Sequence, residues 1–188
     1  VDDSPGACAR RAAALVELVV RKYAPLPAAS LTYLVRLLVN YGAPHLSEQT
    51  QAALCLTRDA LASCRIDGTT WYWPADENPR SHRHAPGDAL RLLAPFDPVV
   101  WDRRRFELLW GWTYRFEAYM PAPQRKFGYY ALPVLWHDRV IGWANVALHD
   151  GRLQPSFGYA AAPAPAGSAF RAALDDEMQR MTAFMAAR

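Results

Sequence analysis

Cationic side chains cluster at two turns of this sequence. Arg103, Arg104 and Arg105 follow a Pro-Phe-Asp-Pro turn, and Arg125 and Lys126 lie in the connection between two segments with strand-like alternation. Cationic groups held at fixed turns suit a phosphate backbone better than a small neutral substrate. These residues therefore predict binding to the backbone of a nucleic acid.

The two clusters differ in how many side chains can reach a ligand. We expect Arg125 and Lys126 at the tip of a β-hairpin, where side chains project from a rigid base, although such a turn can also serve solubility alone. The three arginines are predicted in a short helix, so they cannot all face one way, and we expect one to pair with Asp97 or Glu107. The candidate DNA-binding residues are Gln124, Arg125, Lys126, Arg103 and Arg104.

The overall charge is mild, so clustering matters more than the total. The 188 residues include 21 Lys+Arg and 18 Asp+Glu, for a net charge of +3. Nineteen of the basic residues are Arg, whose planar guanidinium binds phosphate in a bidentate manner. A composition biased toward Ala and Arg would explain the excess of Arg equally well. Any affinity for nucleic acid must come from local clusters.

Other residue types argue against several classes of protein. Cys8, Cys55 and Cys64 form no Cys-x-x-Cys pair, which argues against a disulfide framework or a cysteine zinc site and fits a reducing cytoplasm. His82 and His84 have no acidic or thiol partner at ligand spacing, so we expect no metal and no cofactor. No apolar run approaches the roughly 20 residues of a membrane-spanning helix. We expect a cytoplasmic protein with no membrane contact.

The first 74 residues have helical periodicity followed by a hairpin signal. Leu15, Leu18 and Val19 predict the inward face of a first helix that ends before Pro25. A second helix is predicted from an N-cap at Ser30 to a stop at Gly42 and Pro44, and a third from Ser47 to about Ser63. Asp67-Gly68 then indicates a tight turn between strands.

Three short helices closed by a β-hairpin predict a winged helix over residues 1–74. Such a unit binds DNA in many proteins and serves only as a packing or protein-contact unit in others. Residues 75–91 have no periodicity and predict a linker or surface loop.

From residue 92 the apolar period becomes 2, which predicts antiparallel strands. We expect strands over residues 114–120 and 129–136, with Tyr129 and Tyr130 on opposite faces and structural in role, then strands over 140–148 and 153–159. A closing helix with a methionine stripe over residues 170–185 is expected to pack on the sheet. The predicted fold is α+β: an N-terminal winged helix (1–74), a linker (75–91), and a small antiparallel β domain, a partial barrel, with a C-terminal helix (92–188).

Two strings in the second half resemble the C-terminal region of a bacterial winged-helix DNA glycosylase family, the YcaQ-like or AlkZ-like proteins. They are LLAPFDPVVWDRRR (residues 92–105) and YRFEAYMPAPQRKFGYYALPVL (residues 114–135). The resemblance implies tandem winged helices with a small β domain, and excision of bulky alkylated purines, including those in interstrand crosslinks. It also implies double-stranded DNA as the partner.

The resemblance places the family's catalytic element, Gln-x-Gln or Gln-x-Asp with an aliphatic centre, in the N-terminal part. Gln49-Thr50-Gln51 matches literally, but its centre is polar and it lies in the predicted third helix. We interpret it as coincidental, assign no catalytic residue, and expect the catalytic part upstream of this chain, in the N-terminal remainder of a parent protein. This chain alone is then expected to be inactive.

One strand departs from the family pattern. After Asp138-Arg139 the family tends toward Gly-Arg-x-Asp-x-Lys, whereas residues 142–147 read GWANVA. Three charges are absent, which argues against DNA contacts along this strand.

Three functions follow from these observations. The first is the DNA-binding C-terminal portion of a bacterial DNA repair glycosylase, a hydrolase. The alternatives are a non-enzymatic winged-helix DNA-binding module and a structural or protein-contact module that binds no nucleic acid. A salt-dependent DNA titration separates the first two from the third.

Overall fold

The structure is a computed structural model that describes residues 2–150, 152–161 and 164–186, except for the side chain of His84. The chain divides into two compact units, an N-terminal unit (Val1–Ser81) and a C-terminal unit (His82–Arg188). Helices, two antiparallel sheets and a C-terminal helix are all present, which confirms the α+β prediction.

The N-terminal unit contains three α-helices and a three-stranded sheet. In chain order its elements are α1 (Pro5–Tyr23), β1 (Leu26–Pro27), α2 (Ala28–Leu37), a π-helical turn (Leu38–Gly42), a 3-10 turn (Pro44–Leu46), α3 (Ser47–Ala60), β2 (Ala62–Ile66) and β3 (Thr69–Trp73). The strands are antiparallel in the order β1-β3-β2. The β2–β3 turn has Asp67 and Gly68 at φ 47° and 76°, which confirms the Asp-Gly hairpin prediction.

Helix α1 is longer than the sequence pattern predicts. It begins at Pro5, where the Ser4 side chain accepts a hydrogen bond from the backbone N–H of Ala7. Its buried stripe consists of small residues, Ala7, Ala12, Val16, Val19 and Val20. The prediction that Leu18 faces inward is wrong, because this stripe leaves Leu18 61% exposed.

Two predicted helix caps are also wrong. Helix α2 starts at Ala28 directly after β1, so Ser30 lies buried inside its first turn. Helix α3 continues from the 3-10 turn, so Leu46 occupies the N-cap and Ser47 is the first helical residue. In both cases the preceding element already directs the chain into the helix.

The described residues of the C-terminal unit form a four-stranded antiparallel sheet and three α-helices. Its elements are a 3-10 turn (His82–His84), β4 (Leu90–Leu92), α4 (Pro98–Trp101), α5 (Arg103–Trp110), a 3-10 turn (Ala122–Gln124), β5 (Leu132–Trp136), β6 (Arg139–His149), β7 (Arg152–Tyr159) and α6 (Ser168–Ala186). The strand order is β4-β5-β6-β7. Helix α6 packs on the sheet, as predicted, but it does so through Phe170 and Ala173, and Met185 of the predicted methionine stripe is exposed.

The predicted strand over residues 114–120 does not form. Strand β5 pairs with β4 on one side and with β6 on the other, so neither of its edges is free for residues 114–120. Residues 111–131 instead form a long loop between α5 and β5, which contains only the 3-10 turn Ala122–Gln124. We call it the α5–β5 loop. A loop of this length in a compact unit usually has a functional role.

Three features of the described residues bear on the excluded classes. No described helix is both long and apolar enough to cross a membrane. Cys8, Cys55 and Cys64 are free thiols. No group of three or more potential metal ligands was found among the described side chains; that of His84 lies outside them.

Candidate nucleic-acid interface

The α5–β5 loop is anchored in the core by the ring of Phe127. This ring is buried and lies against Tyr114, Trp112 and Trp143, with ring centroids 5.9, 6.1 and 4.8 Å away. Trp112 and Trp143 are partly buried and pack against this core. Burial of a Phe side chain contributes about 1.5–3 kcal/mol, which is enough to hold a loop segment in place.

Both backbone polar groups of Phe127 are bound by side chains. Its N–H donates to Oε2 of Glu117 at 2.7 Å, and its carbonyl oxygen accepts from Nδ2 of Asn145 at 2.7 Å. Glu117 is itself buried, and Asn145 lies on β6. The peptide groups on either side of Phe127 are therefore fixed relative to the sheet.

Two further constraints act on the same loop. The Tyr114 hydroxyl donates to the carbonyl oxygen of Ala131 at 2.6 Å, and burial raises the pKa of Tyr114 to about 12. Gly128 has φ 117°, and the Asn145 amide occupies the space that a Cβ there would need. Glycine is thus required where the loop passes over β6.

Arg125 and Lys126 lie next to this anchor and not at the tip of a hairpin. That prediction is wrong because residues 114–120 form no strand. Nε of Arg125 donates to the carbonyl oxygen of Met120 at 2.8 Å, and its guanidinium carbon lies 4.9 Å from the ring centroid of Tyr129. Lys126 and Gln124 are exposed. The loop therefore presents both cations at the surface of a rigid segment.

The three consecutive arginines have separate roles. Arg103 donates to the carbonyl oxygens of Val100 and Pro95 at 2.6 and 2.9 Å, and burial lowers its pKa. Arg105 is buried and donates to the carbonyl oxygen of Pro98. The prediction that one of the three pairs with Asp97 or Glu107 does not hold for Arg103, because nearby turn carbonyls take its donors. Only Arg104 of the three is exposed.

The prediction that Tyr129 and Tyr130 lie on opposite faces of a strand is wrong. They lie instead in a turn before β5 and are 60% and 48% exposed. The sequence carries no signal for this exposure, because the Tyr-Tyr pair continues an apolar run that ends in a true strand.

The charge is unevenly divided between the two units. Residues 1–81 contain eight Lys or Arg and eight Asp or Glu, whereas residues 82–188 contain thirteen and ten. The whole net charge of +3 therefore resides in the C-terminal unit. Its field favours an anionic partner there.

The exposed face of α3 is poorly suited to DNA. It presents Glu48 and Asp59. The one cation on this helix, Arg58, donates to Thr32 at 3.4 Å and has its guanidinium carbon 6.0 Å from the ring centroid of Tyr72. Carboxylates facing phosphates would be repelled, so the charges disfavour docking of DNA on this helix.

Gln49 and Gln51 do not converge. Both lie on α3, Gln49 half-buried and Gln51 exposed. Residues two apart on a helix diverge by about 200°. The pair therefore cannot act together on one substrate atom while the helix persists.

A cavity of about 490 Å³ lies in the N-terminal unit, lined by residues of α1, α3 and the segment after β3. Its cation, Arg21, binds Glu17 and Asp76 at 2.9 and 3.2 Å, so both carboxylates are already paired. This arrangement suits a structural ion pair at the surface, which contributes little to stability.

A family model described as DNA glycosylase AlkZ-like matches residues 2–184, essentially the whole chain. No solved structure matches this chain.

Proposed function

We propose that this chain, which belongs to the AlkZ-like DNA glycosylase family, binds DNA as the C-terminal portion of a glycosylase; the proposal of a C-terminal portion rests on the resemblance of residues 92–105 and 114–135 to that region of the family. In this proposal the full protein excises bulky alkylated purines or unhooks interstrand crosslinks. The catalytic residues lie upstream, in the N-terminal remainder of the parent protein, and this chain binds double-stranded DNA.

The single observation that supports the DNA-binding role is the anchored cationic segment of the α5–β5 loop. Lys126 and Arg125 immediately precede Phe127, whose ring and both backbone polar groups are fixed. Because the backbone of this segment is fixed, less of the chain has to be ordered when its cations bind phosphates than in a flexible loop. Of the five candidate residues, Gln124, Arg125, Lys126 and Arg104 remain available for DNA, while Arg103 is committed to turn carbonyls.

The N-terminal unit belongs to this proposal as a winged helix. The order of its elements, helix, strand, two helices and a two-stranded hairpin, supports this assignment, as does the sheet order β1-β3-β2. Helix α3 would then occupy the position of a recognition helix. Because its exposed face carries Glu48 and Asp59, we assign this unit a structural role. For this unit alone, that role is the non-enzymatic structural alternative.

The test is a salt titration of duplex binding with a charge-matched control. The chain, the variant Arg125→Glu/Lys126→Glu and the control Arg10→Glu/Lys22→Glu are titrated with one labelled duplex between 50 and 200 mM salt. Both variants change the net charge equally, but Arg10 and Lys22 are exposed on α1.

We expect the loop variant to weaken binding by about 1 kcal/mol or more per lost contact and to lower the salt slope by about 2. The α1 variant should leave the slope nearly unchanged. Equal slopes for all three proteins would remove the loop from the interface, and no salt-dependent binding by the wild-type chain would refute the DNA-binding role itself.

A further inference from the structure

Four aromatic rings form a connected cluster at the surface of the C-terminal unit. Phe116 is at its centre, and its ring makes edge-to-face contacts with Phe96, Tyr130 and Tyr119 at centroid distances of 5.3, 5.2 and 6.0 Å. We call these four residues the aromatic cluster. Three of them belong to the α5–β5 loop, which also carries Arg125 and Lys126.

The aromatic cluster is largely exposed to solvent. Phe96 is 62% exposed, Tyr119 92% and Tyr130 48%. In an edge-to-face contact the edge of one ring covers part of one face of its neighbour. The exposed fractions show that much of the Phe96, Tyr119 and Tyr130 rings is still open to a flat partner. A contiguous exposed apolar patch on a protein surface marks an interaction site.

The charges of the α5–β5 loop, which carries three of the four rings, fit an anionic partner. Asp97, which follows Phe96, is half-buried and accepts a hydrogen bond from the backbone N–H of Val99 at 2.8 Å. Between residues 108 and 136 the charged residues are Arg115, Glu117, Arg125 and Lys126. Glu117 is buried at the Phe127 anchor, whereas Arg115 and Lys126 are exposed and Arg125 is partly so. The exposed charge of the segment is therefore wholly positive. A ligand that combines flat apolar rings with negative charges is an unpaired stretch of nucleic acid.

A further exposed ring, that of Tyr129, also lies beside a positive charge. The guanidinium carbon of Arg125 lies over the Tyr129 ring, 4.9 Å from its centroid, and Tyr129 remains 60% exposed. This pairing places a positive charge beside the ring. Tyr129 therefore offers a second stacking position adjoining the aromatic cluster in sequence.

We propose that the aromatic cluster is a stacking platform for unpaired bases of DNA, so that this chain binds gapped or locally opened duplexes in preference to intact ones. This inference rests on the proposed DNA-binding role and names the DNA structure that the loop selects. In an intact duplex both faces of each base are covered by its neighbours. Exposed aromatic side chains therefore gain stacking energy only where bases are unpaired.

The test compares two DNAs of equal length and similar charge: an intact duplex and a duplex with a central gap of four unpaired thymines. Binding of each is measured for the wild-type chain, for Phe96→Ala/Tyr119→Ala, and for the control Tyr41→Ala, which removes an equally exposed tyrosine from the N-terminal unit. Because Phe96 and Tyr119 are exposed, their removal leaves the core intact, and thermal melting checks this.

We expect the wild-type chain to bind the gapped DNA about tenfold more tightly than the intact duplex, from stacking of one or two bases. The double variant should lose this preference and keep its affinity for the intact duplex, and Tyr41→Ala should behave as wild type. Stacking on the aromatic cluster and phosphate binding by the loop are thus distinguishable, because Arg125→Glu/Lys126→Glu should weaken binding to both DNAs.

Three results would overturn the inference. One is an equal affinity of the wild-type chain for both DNAs, and another is a gap preference that survives in the double variant. The third is concentration-dependent self-association of the wild-type chain that the double variant abolishes, since the aromatic cluster would then bind a second copy of the protein. If the wild-type chain binds neither DNA, the proposed DNA-binding role and this inference both fail.

Discussion

Removal of the Glu117 carboxylate should destabilise the protein far more than removal of a surface carboxylate. In Glu117→Ala the buried N–H of Phe127 loses the acceptor that now lies 2.7 Å away. An unsatisfied buried donor costs about 1–3 kcal/mol. The Ala variant also loses packing around a buried side chain, so we expect a decrease of about 2–3 kcal/mol in the free energy of unfolding.

Two variants separate the hydrogen bond from the volume of the side chain. Glu117→Gln keeps an oxygen acceptor in nearly the same shape and should cost about 1 kcal/mol or less. Glu107→Ala removes an exposed carboxylate that accepts from Thr113 Oγ1 at 3.0 Å, and should change stability by no more than about 0.5 kcal/mol.

A double-mutant cycle tests whether Glu117 and Asn145 hold the same residue. Their side chains bind the N–H and the carbonyl oxygen of Phe127. Once either bond is lost, the segment loosens and the second bond is worth less, so the double Ala variant should be less destabilised than the sum by about 0.5 kcal/mol or more.

Chemical denaturation gives the free energies, and amide hydrogen exchange at Phe127 reports the loop directly. We expect Glu117→Ala to accelerate exchange at Phe127 by one order of magnitude or more, beyond its effect on the strands, because local opening becomes easier. A loss below about 0.5 kcal/mol with unchanged exchange at Phe127 would show that Glu117 does not anchor the loop.

Three further predictions concern the fold and the activity. The pKa of Tyr114 is raised from 10.0 to about 12, so the folded state holds this proton more tightly than the unfolded state. The free energy of unfolding of the wild-type chain should therefore fall by about 1 kcal/mol between pH 9 and 11. Tyr114→Phe should not show this decrease, and chemical denaturation at both pH values measures it. A Cβ at Gly142 would overlap the carbonyl oxygen of Gly158 across the sheet, so Gly142→Ala should cost more than about 1 kcal/mol and lower the melting temperature, whereas an unchanged Tm would contradict the register. The chain alone should release no alkylated purine in a base-release assay, and release that disappears when Gln49 and Gln51 become Ala would relocate the active site to α3.

The N-terminal helices and the strands with clear periodicity could be predicted from the sequence. The Asp67-Gly68 turn has one favoured backbone geometry, and strands β6 and β7 follow their alternation closely. Local patterns sufficed where local preference and tertiary pairing agree. The inward position of Leu18 failed because Val16 and Val20 define a different stripe against α3, which single-helix periodicity does not specify.

The conformation of the α5–β5 loop could not be predicted from local sequence patterns. Residues 114–120 alternate like a strand, yet Tyr114 and Glu117 are both buried at a spacing of three, because one fills the core and the other binds the N–H of Phe127. These partners lie 10 to 17 residues away. The types of the candidate residues Arg125 and Lys126 were readable from the sequence, but the geometry that presents them depends on these distant contacts.

In the proposed function, DNA binds at the α5–β5 loop and not at helix α3. The most direct measurement is an amide chemical-shift map of the chain during titration with duplex DNA. We expect the largest shifts over residues 121–130 and little change over residues 47–60. Shifts concentrated on residues 47–60 and the Asp67-Gly68 turn, with residues 121–130 unaffected, would contradict it.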